Sequence, residues 1–394
     1  MTVTLDDITA ARDAIADVAR HTPVLPSATL SERCGGAVVL KAESLQRTGS
    51  FKIRGALNKL AAIGDACSAG VVCGSAGNHA QAVALAARER GVPCEVFMPA
   101  EASVAKAEGA EALGAKIHLA GESVDDCITS ATAYAANAGM TFVHPFDDLD
   151  VIAGQGTLGL ELLQDIPDLA LLLVPVGGGG LASGVAVAVK SQRPDVRVVG
   201  VQVADRALTI ADGIAVKHPG ELTKQLMGEW VDEMVIVEED DIAEAIVVLV
   251  EKAKLVVEGA GAVGVAALLA GRVQPAPTGT TCAVLSGGNI DPGLLAEVAR
   301  RHETEAGRRL VLFTRVPDRP GALARLLDIV AEAGANLVAV EHLREGVGLH
   351  VRETAVQLVL QTRGREHAEH VKALISSAGY EAQGGALGDG LTAD

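Results

Sequence analysis

The chain has 394 residues, 49% of them hydrophobic but only 2% aromatic, and a formal net charge of −17 at pH 7. That length allows two or three domains around a core assembled from Ala, Val, Leu and Ile. The acidic balance excludes nucleic acid as a partner, because a phosphate backbone demands clustered Lys and Arg, and no apolar run reaches membrane-spanning length, residues 260–271 being too short and broken by glycine.

In chain order, residues 1–20 read as an acidic amphipathic helix with Ile8, Ala11, Ile15 and Val18 on one face. That is not the charged-then-apolar pattern of a signal peptide, so a cytoplasmic protein is expected. An apolar strand over 37–41 leads through the turn TGSFKIRGA (48–56) into a helix beginning near Arg54. Lys52 follows an aromatic residue and a Thr-Gly-Ser turn, unlike an exposed helical lysine among other charges. Partial burial there would lower its pKa and free its amine as a nucleophile. Taken alone, most lysines in such a turn are only surface charges or phosphate contacts.

Three further glycine-rich turns decide between these readings. GSAGNHAQ (74–81) follows the apolar strand 71–73 and opens the helix 80–90, putting backbone N–H donors at a helix start. VPVGGGGL (174–181) ends a continuous apolar strand from Leu169 and opens the helix 181–190. Four successive glycines let the backbone wrap an anion beside the positive end of that helix, so a phosphate is the natural occupant. LSGGN (285–289) ends the apolar strand 281–285. Four loops at strand C-terminal ends imply one shared crevice. A lysine nucleophile with a phosphate cradle, no Walker lysine and no metal cluster points to pyridoxal 5′-phosphate held as a Schiff base.

On these motifs the chain resembles the threonine dehydratases (threonine ammonia-lyases), type II pyridoxal-phosphate enzymes related to serine racemase and more distantly to cysteine synthase. SFKIRGA (50–56), SAGNHAQ (75–81), the tetrad at 177–180 and SGGN (286–289) occur in that family's order, and the likeness covers nearly all of residues 1–300. It implies two doubly wound parallel-sheet domains, a smaller one at about 55–145 inserted into a larger one, with the catalytic region spanning 1–305. Strands at 71–73, 94–98, 116–119, 169–176, 197–201 and 281–285 alternating with helices fit that α/β class.

Residue by residue, the resemblance implies that Lys52 holds the cofactor, is displaced by the substrate amine and then removes the Cα proton. Phe51 lies beside it. Gly177, Gly178, Gly179, Gly180 and the Leu181 N–H would hold the phosphate, Asn78 the ring hydroxyl and Ser286 the ring nitrogen. Ser75, Ala76, Gly77 and His79 would form the loop that takes the substrate carboxylate. A serine rather than an aspartate at the ring nitrogen favours prompt loss of the β-hydroxyl over transamination. The products would be a 2-oxo acid and ammonia.

Two departures narrow the choice. Similar racemases carry a serine where this chain has Ala76, so racemisation should be slow. They also use a glutamate as a divalent-metal ligand in the segment matching VGVQV (199–203), where this chain has Gln202, so no metal site is expected. Six cysteines show neither C-x-x-C pairing nor histidine at ligand spacing, and His367 and His370 lie on a charged, solvated helix face. Asp212 and Glu258 read as solvated or structural acids.

Residues 301–309 form a charged stretch read as a linker. Beyond it, strand 310–316, helix 322–333, strands 336–343 and 353–360, helix 365–377 and a last strand near Tyr380 complete βαββαβ, the ferredoxin-like arrangement. With PDRPGAL (317–323) and AGANL (333–337), residues 309–383 resemble an ACT domain, which implies an amino-acid effector, isoleucine or valine first, and a homodimer or homotetramer. Residues 384–394 read as a flexible tail. The reading is therefore dehydration of L-threonine and L-serine to 2-oxobutanoate and pyruvate, in isoleucine synthesis or threonine breakdown. Serine racemase or hydroxyaspartate dehydratase is the alternative within the family, and a silent amino-acid-binding regulator is the alternative outside it.

Overall fold

Six strands form the larger sheet in the order Val24–Pro26, Val38–Ala42, Thr280–Leu285, Leu169–Pro175, Arg197–Val203 and Glu233–Val237. The first pair is antiparallel and every other pair parallel. A second, fully parallel sheet is ordered Lys116–Leu119, Cys94–Met98, Val71–Gly74, Thr141–Phe142. This computed structural model describes residues 2–102, 104–204, 209–216, 219–344 and 350–384. The chain divides into two compact units, Met1–Leu294 and Leu295–Asp394, and both of these sheets belong to the first.

Continuous apolar runs make the central strands, because a parallel sheet covered on both faces has no wet side to alternate toward. Leu171, Leu172, Leu173 and Val174 are all buried. Small side chains do the covering: Ala80, Ala82, Val83, Ala84, Ala86 and Ala87 on the helix Asn78–Arg90 are buried against the smaller sheet. With so few aromatic residues, close helix approach replaces bulk. At the crossing of the helices Lys52–Ile63 and Leu149–Asp165, a Cβ on Gly154 would lie 2.7 Å from Gly55 Cα, and Gln155 Oε1 accepts the Gly55 N–H at 3.2 Å.

The same crossing buries charge. Arg54 is 1% exposed, Glu43 and Lys41 not at all. The Arg54 guanidinium donates twice to the Glu43 carboxylate, at 2.8 Å each, and also to Glu161 at 2.6 Å, Thr157 Oγ1 at 3.2 Å and the Arg20 carbonyl at 3.1 Å. Lys41 reaches Glu161 at 2.7 Å and Asp165 at 3.1 Å. Bidentate pairing of this kind offsets the desolvation of both ions and fixes their geometry.

The second unit is an antiparallel sheet ordered Asn336–Leu343, Glu353–Gln361, Arg309–Pro317, Gln383–Gly384. Helices Ala322–Glu332 and Arg365–Ser377 pack on it through Leu326, Val330, Val371 and Ile375, which is the ferredoxin-like βαββαβ arrangement. The expected linker is mostly helix instead. Residues 301–305 end the helix Pro292–Glu305, where Arg301 and Glu305 pair at i, i+4 with 2.9 Å between them, and Arg309 already begins a strand. A helix with one buried residue, Val298, shows little apolar period to read. The last strand is two residues long and lies past Tyr380, at Gln383–Gly384. Of the segment read as a flexible tail, residues 385–394 lie outside the described residues.

Burial pushes the Glu43 carboxyl up, but the charge and hydrogen bonds of Arg54, with Thr22 and Lys41, hold it below its ordinary value. A depressed carboxyl stabilises the fold above its unfolded value of about 4.3 and loses that contribution as pH falls through the folded value. The Glu43 contribution to the urea midpoint should therefore be complete above about pH 5 and be lost below about pH 4. Glu43→Gln should cost about 3–5 kcal/mol at neutral pH, with a shallower acid loss than the parent chain in the same urea series.

Candidate functional site

The four parallel strands that begin at Val38, Thr280, Leu169 and Arg197 all point the same way, so the turns after them share one edge. The turn after Val71–Gly74, in the other sheet, meets that edge. Between them lies a cavity of about 390 Å³, within the range of small-ligand sites. Every residue singled out for the site lines it: Phe51 and Lys52, the loop 75–79, the tetrad 177–180 with Leu181, and Ser286.

Lys52 is the first residue of its helix and only half-buried, with its amine donating to the Pro145 carbonyl at 2.8 Å and standing 5.3 Å from the centre of the Phe51 ring. Desolvation lowers its pKa to about 8, against the opposing charge of Glu258. An amine so placed is neutral in a far larger fraction near physiological pH than an ordinary lysine, and that neutral fraction is a nucleophile and a base.

The tetrad is built for close approach. A Cβ on Gly178 would lie 2.2 Å from the Phe146 ring and one on Gly177 2.8 Å from Ile214 Cα, while Gly179 adopts φ +92°. Thr223 donates its hydroxyl to the Gly178 carbonyl at 2.7 Å, which fixes that peptide plane. The helix Gly180–Lys190 then starts with free N–H groups at its positive end.

Along the second loop, Ser75 Oγ accepts the Gly77 N–H at 3.2 Å. His79 is buried with a ring nitrogen 2.9 Å from the Val143 carbonyl. Burial, then the charge of Lys52, pushes its pKa down to about 3, so the ring is neutral. Asn78 donates from Nδ2 to Glu258 at 2.7 Å and accepts from Asn289 Nδ2 at 2.8 Å. Ser286 is buried with its hydroxyl 3.4 Å from the Ala260 carbonyl, a long bond that leaves it available to a ligand.

Glu258, read from sequence as a solvated or structural acid, lines the cavity and is 5% exposed. Burial, then the Asp212 carboxylate, pushes its pKa up to about 7, against the Asn78 hydrogen bond and the charges of Lys106 and Lys52. Asp212 does lie toward solvent, ion-paired with Lys106 at the cavity wall. Asn289, Phe146 and Lys106 also line the cavity without having been singled out as site residues. Glu258 had a signal: it is the lone charge between Leu255-Val-Val and a glycine-alanine helix start. Gln202 sits on its strand beside Ile236. Among the described residues no group of three or more His, Cys, Asp or Glu side chains is placed to hold a metal ion, and no helix is long and apolar enough to cross a membrane.

Residues 15–287 match the pyridoxal-phosphate dependent enzyme family and residues 310–369 the ACT domain family. The chain is 45% identical to an L-threonine ammonia-lyase of Thermotoga maritima over 397 aligned positions, covering 96% of this chain and 98% of that one. Among solved structures it is similar to the T.th. threonine deaminase, with TM-score 0.68, 39% identity, and coverage of 73% of this chain and 99% of that one. It is also similar to maize serine racemase, with TM-score 0.72, 33% identity, and coverage of 77% and 99%.

Two outcomes test the geometry. In the cofactor-free protein, modification of Lys52 by an amine-directed reagent, followed by peptide mapping against pH, should reach half its limiting rate near pH 8, rather than at the value of about 10.4 of a free lysine. Gly178→Ala, which drives a methyl into the Phe146 ring, should weaken binding of a phosphate-bearing ligand by at least about tenfold in equilibrium dialysis.

Proposed function

Since the chain belongs to the pyridoxal-phosphate dependent enzymes, we propose that it is an L-threonine ammonia-lyase, converting L-threonine to 2-oxobutanoate and ammonia and L-serine to pyruvate and ammonia. The observation that carries this reading is the half-buried Lys52 amine sharing one cavity with the glycine tetrad and Ser286. Pyridoxal phosphate fits these residues: the tetrad packs against Phe146, Ile214 and Met227 so tightly that only glycine is admitted, its backbone lines the cavity at a helix start, and the amine is tuned for attack on a carbonyl. When bound, the cofactor supplies a carbonyl for amines and a ring that withdraws electrons from the substrate Cα.

The chain's own groups then take defined tasks. The backbone N–H groups of Gly177, Gly178, Gly179, Gly180 and Leu181 hold the phosphate at the helix start, and Phe51 packs beside the ring. Ser286 meets the ring nitrogen with a hydroxyl, which adds no charge, and Asn78 meets the ring hydroxyl. Ser75, Ala76 and Gly77 bind the substrate carboxylate through hydroxyl and amide donors, with His79 neutral behind them. Lys52 would hold the cofactor through its amine and, as a neutral amine, would take the Cα proton of the substrate. The Cα hydrogen and β-hydroxyl leave as water, a water molecule is taken up, and ammonia departs, so threonine balances as 2-oxobutanoate plus ammonia.

Ala76 distinguishes this reading from racemisation. Its methyl carries no proton to deliver to the Cα face opposite Lys52, so dehydration outruns inversion. The C-terminal unit supports regulation by an amino-acid effector, isoleucine or valine first, and a homo-oligomer. Among the described residues its outer strand Asn336–Leu343 pairs on one side, and it exposes Leu337, Val338 and Val340, with Val338 62% exposed. An unpaired apolar edge is a template for a second copy.

Purified protein should release 2-oxobutanoate from L-threonine, and Lys52→Ala should lose at least about 10³-fold of that rate. With L-serine, pyruvate should exceed D-serine, and Ala76→Ser should raise the D-serine share. A chain that inverts serine faster than it forms pyruvate would contradict the assignment. Titration of L-isoleucine and L-valine into the full chain should give binding heat and a change in rate, and neither amino acid doing so would remove them as effectors.

A further inference from the structure

Asn78 is the residue assigned to the ring hydroxyl, and an asparagine amide offers that task two opposite faces. Which face it presents is decided by a chain of three contacts. The Thr48 carbonyl only accepts, so the Asn289 atom 2.8 Å from it is Nδ2. The same Nδ2 lies 2.8 Å from Asn78, which makes the Asn78 atom there Oδ1. Asn78 Nδ2 therefore faces Glu258 Oε1 at 2.7 Å. Turning the Asn78 amide over would set N–H against N–H at Asn289 and, with the Glu258 carboxylate ionised, oxygen against oxygen there. Asn289 cannot turn with it without losing Thr48.

We propose that Glu258 and Asn289 are positioning residues that lock the Asn78 amide in one orientation, leaving its second Nδ2–H to hold the ring hydroxyl of bound pyridoxal phosphate. The inference rests on the cofactor reading given above. An amide nitrogen carries two hydrogens, and Glu258 takes one of them. Space for the lock comes from two glycines. A Cβ on Gly287 would lie 2.2 Å from Glu258 Oε1 and 3.2 Å from Asn78 Nδ2, and one on Gly49 would lie 2.4 Å from Asn289 Oδ1. The SGGN turn thus contributes more than Ser286: its first glycine admits the Glu258 carboxylate and its asparagine sets the amide. Glu258 is itself held: it occupies the position before the helix Gly259–Leu269, and its backbone N–H donates to the Gly287 carbonyl at 3.1 Å. The charges that face it are those of Lys52, Asp212 and Lys106.

Lock and charge are separable. Glu258→Gln keeps the size and an acceptor oxygen but removes the charge, Glu258→Ala removes both, and Asn289→Asp keeps the shape but removes the donor. Each protein, freed of cofactor and checked for folding by circular dichroism, is titrated with pyridoxal 5′-phosphate and followed by visible absorption. Glu258→Ala and Asn289→Asp should each raise the dissociation constant about fivefold or more, the loss expected for one oriented hydrogen bond. Glu258→Gln should stay within about twofold of the parent, while its visible band titrates at lower pH because Lys52 loses a facing negative charge. If Glu258→Ala does not fold, the contrast between Glu258→Gln and Asn289→Asp carries the same test. Equal affinity for all the variants, or a Glu258→Gln loss as large as that of Asn289→Asp, overturns the lock. A parent chain that takes up no pyridoxal phosphate overturns the site reading itself, which is a distinct result.

Discussion

A fully buried guanidinium two residues past the reactive amine holds this architecture in register. Arg54 binds Glu43 through both carboxylate oxygens and reaches Glu161 and Thr157 on the neighbouring helix. Removing a guanidinium from water costs several kcal/mol, and only a full set of short, directed bonds offsets it. The fold therefore tolerates little sliding of the helix Lys52–Ile63 along Leu149–Asp165 or away from the Glu43 turn. Gly55 and Gly154 add the same constraint in steric form, since their backbones nearly touch. Lys52, on the turn before Arg54, inherits that fixed position.

The cavity applies the same principle with the balance reversed. In the Arg54 cluster opposite charges meet directly; of the charges lining the cavity, Lys106 and Asp212 pair at its wall while Lys52 and Glu258 do not pair with them. Lys52 donates to a carbonyl, and desolvation lowers its pKa to about 8 against the charge of Glu258. Burial and the Asp212 carboxylate push the Glu258 pKa up to about 7, although its hydrogen bond from Asn78 works against that rise. Three glycine turns admit three different neighbours at close range: the Phe146 ring at Gly178, the Glu258 carboxylate at Gly287 and the Asn289 amide at Gly49. Glycine here serves the approach of side chains as much as the approach of a ligand.

Much of this was legible in the sequence, for identifiable reasons. Strands buried on both faces, such as Leu169–Pro175 and Val71–Gly74, announce themselves as unbroken apolar runs ending in glycine. The short Val24–Pro26 and Thr141–Phe142 do not, and Glu233–Val237 is half-exposed at a sheet edge, so none of the three stood out. Lys52, Asn78, the tetrad and Ser286 sit at strand ends beside glycine, where side chains gather. The buried charges were invisible because Lys41 and Glu43 look like ordinary surface residues until Arg54 folds back from the next helix and Glu161 arrives from far along the chain. Glu258 and Asn289 meet Asn78 across 180 and 211 residues of sequence, and no local pattern encodes that meeting.

The claim on which the rest turns is that Lys52 carries the cofactor in a cradle made by the four turns. Its direct test is reconstitution with pyridoxal 5′-phosphate, borohydride reduction and mass-spectrometric mapping of the pyridoxyl label. The account predicts one labelled peptide, bearing the modification on Lys52. A label on another lysine, or a protein that gains none, would contradict it.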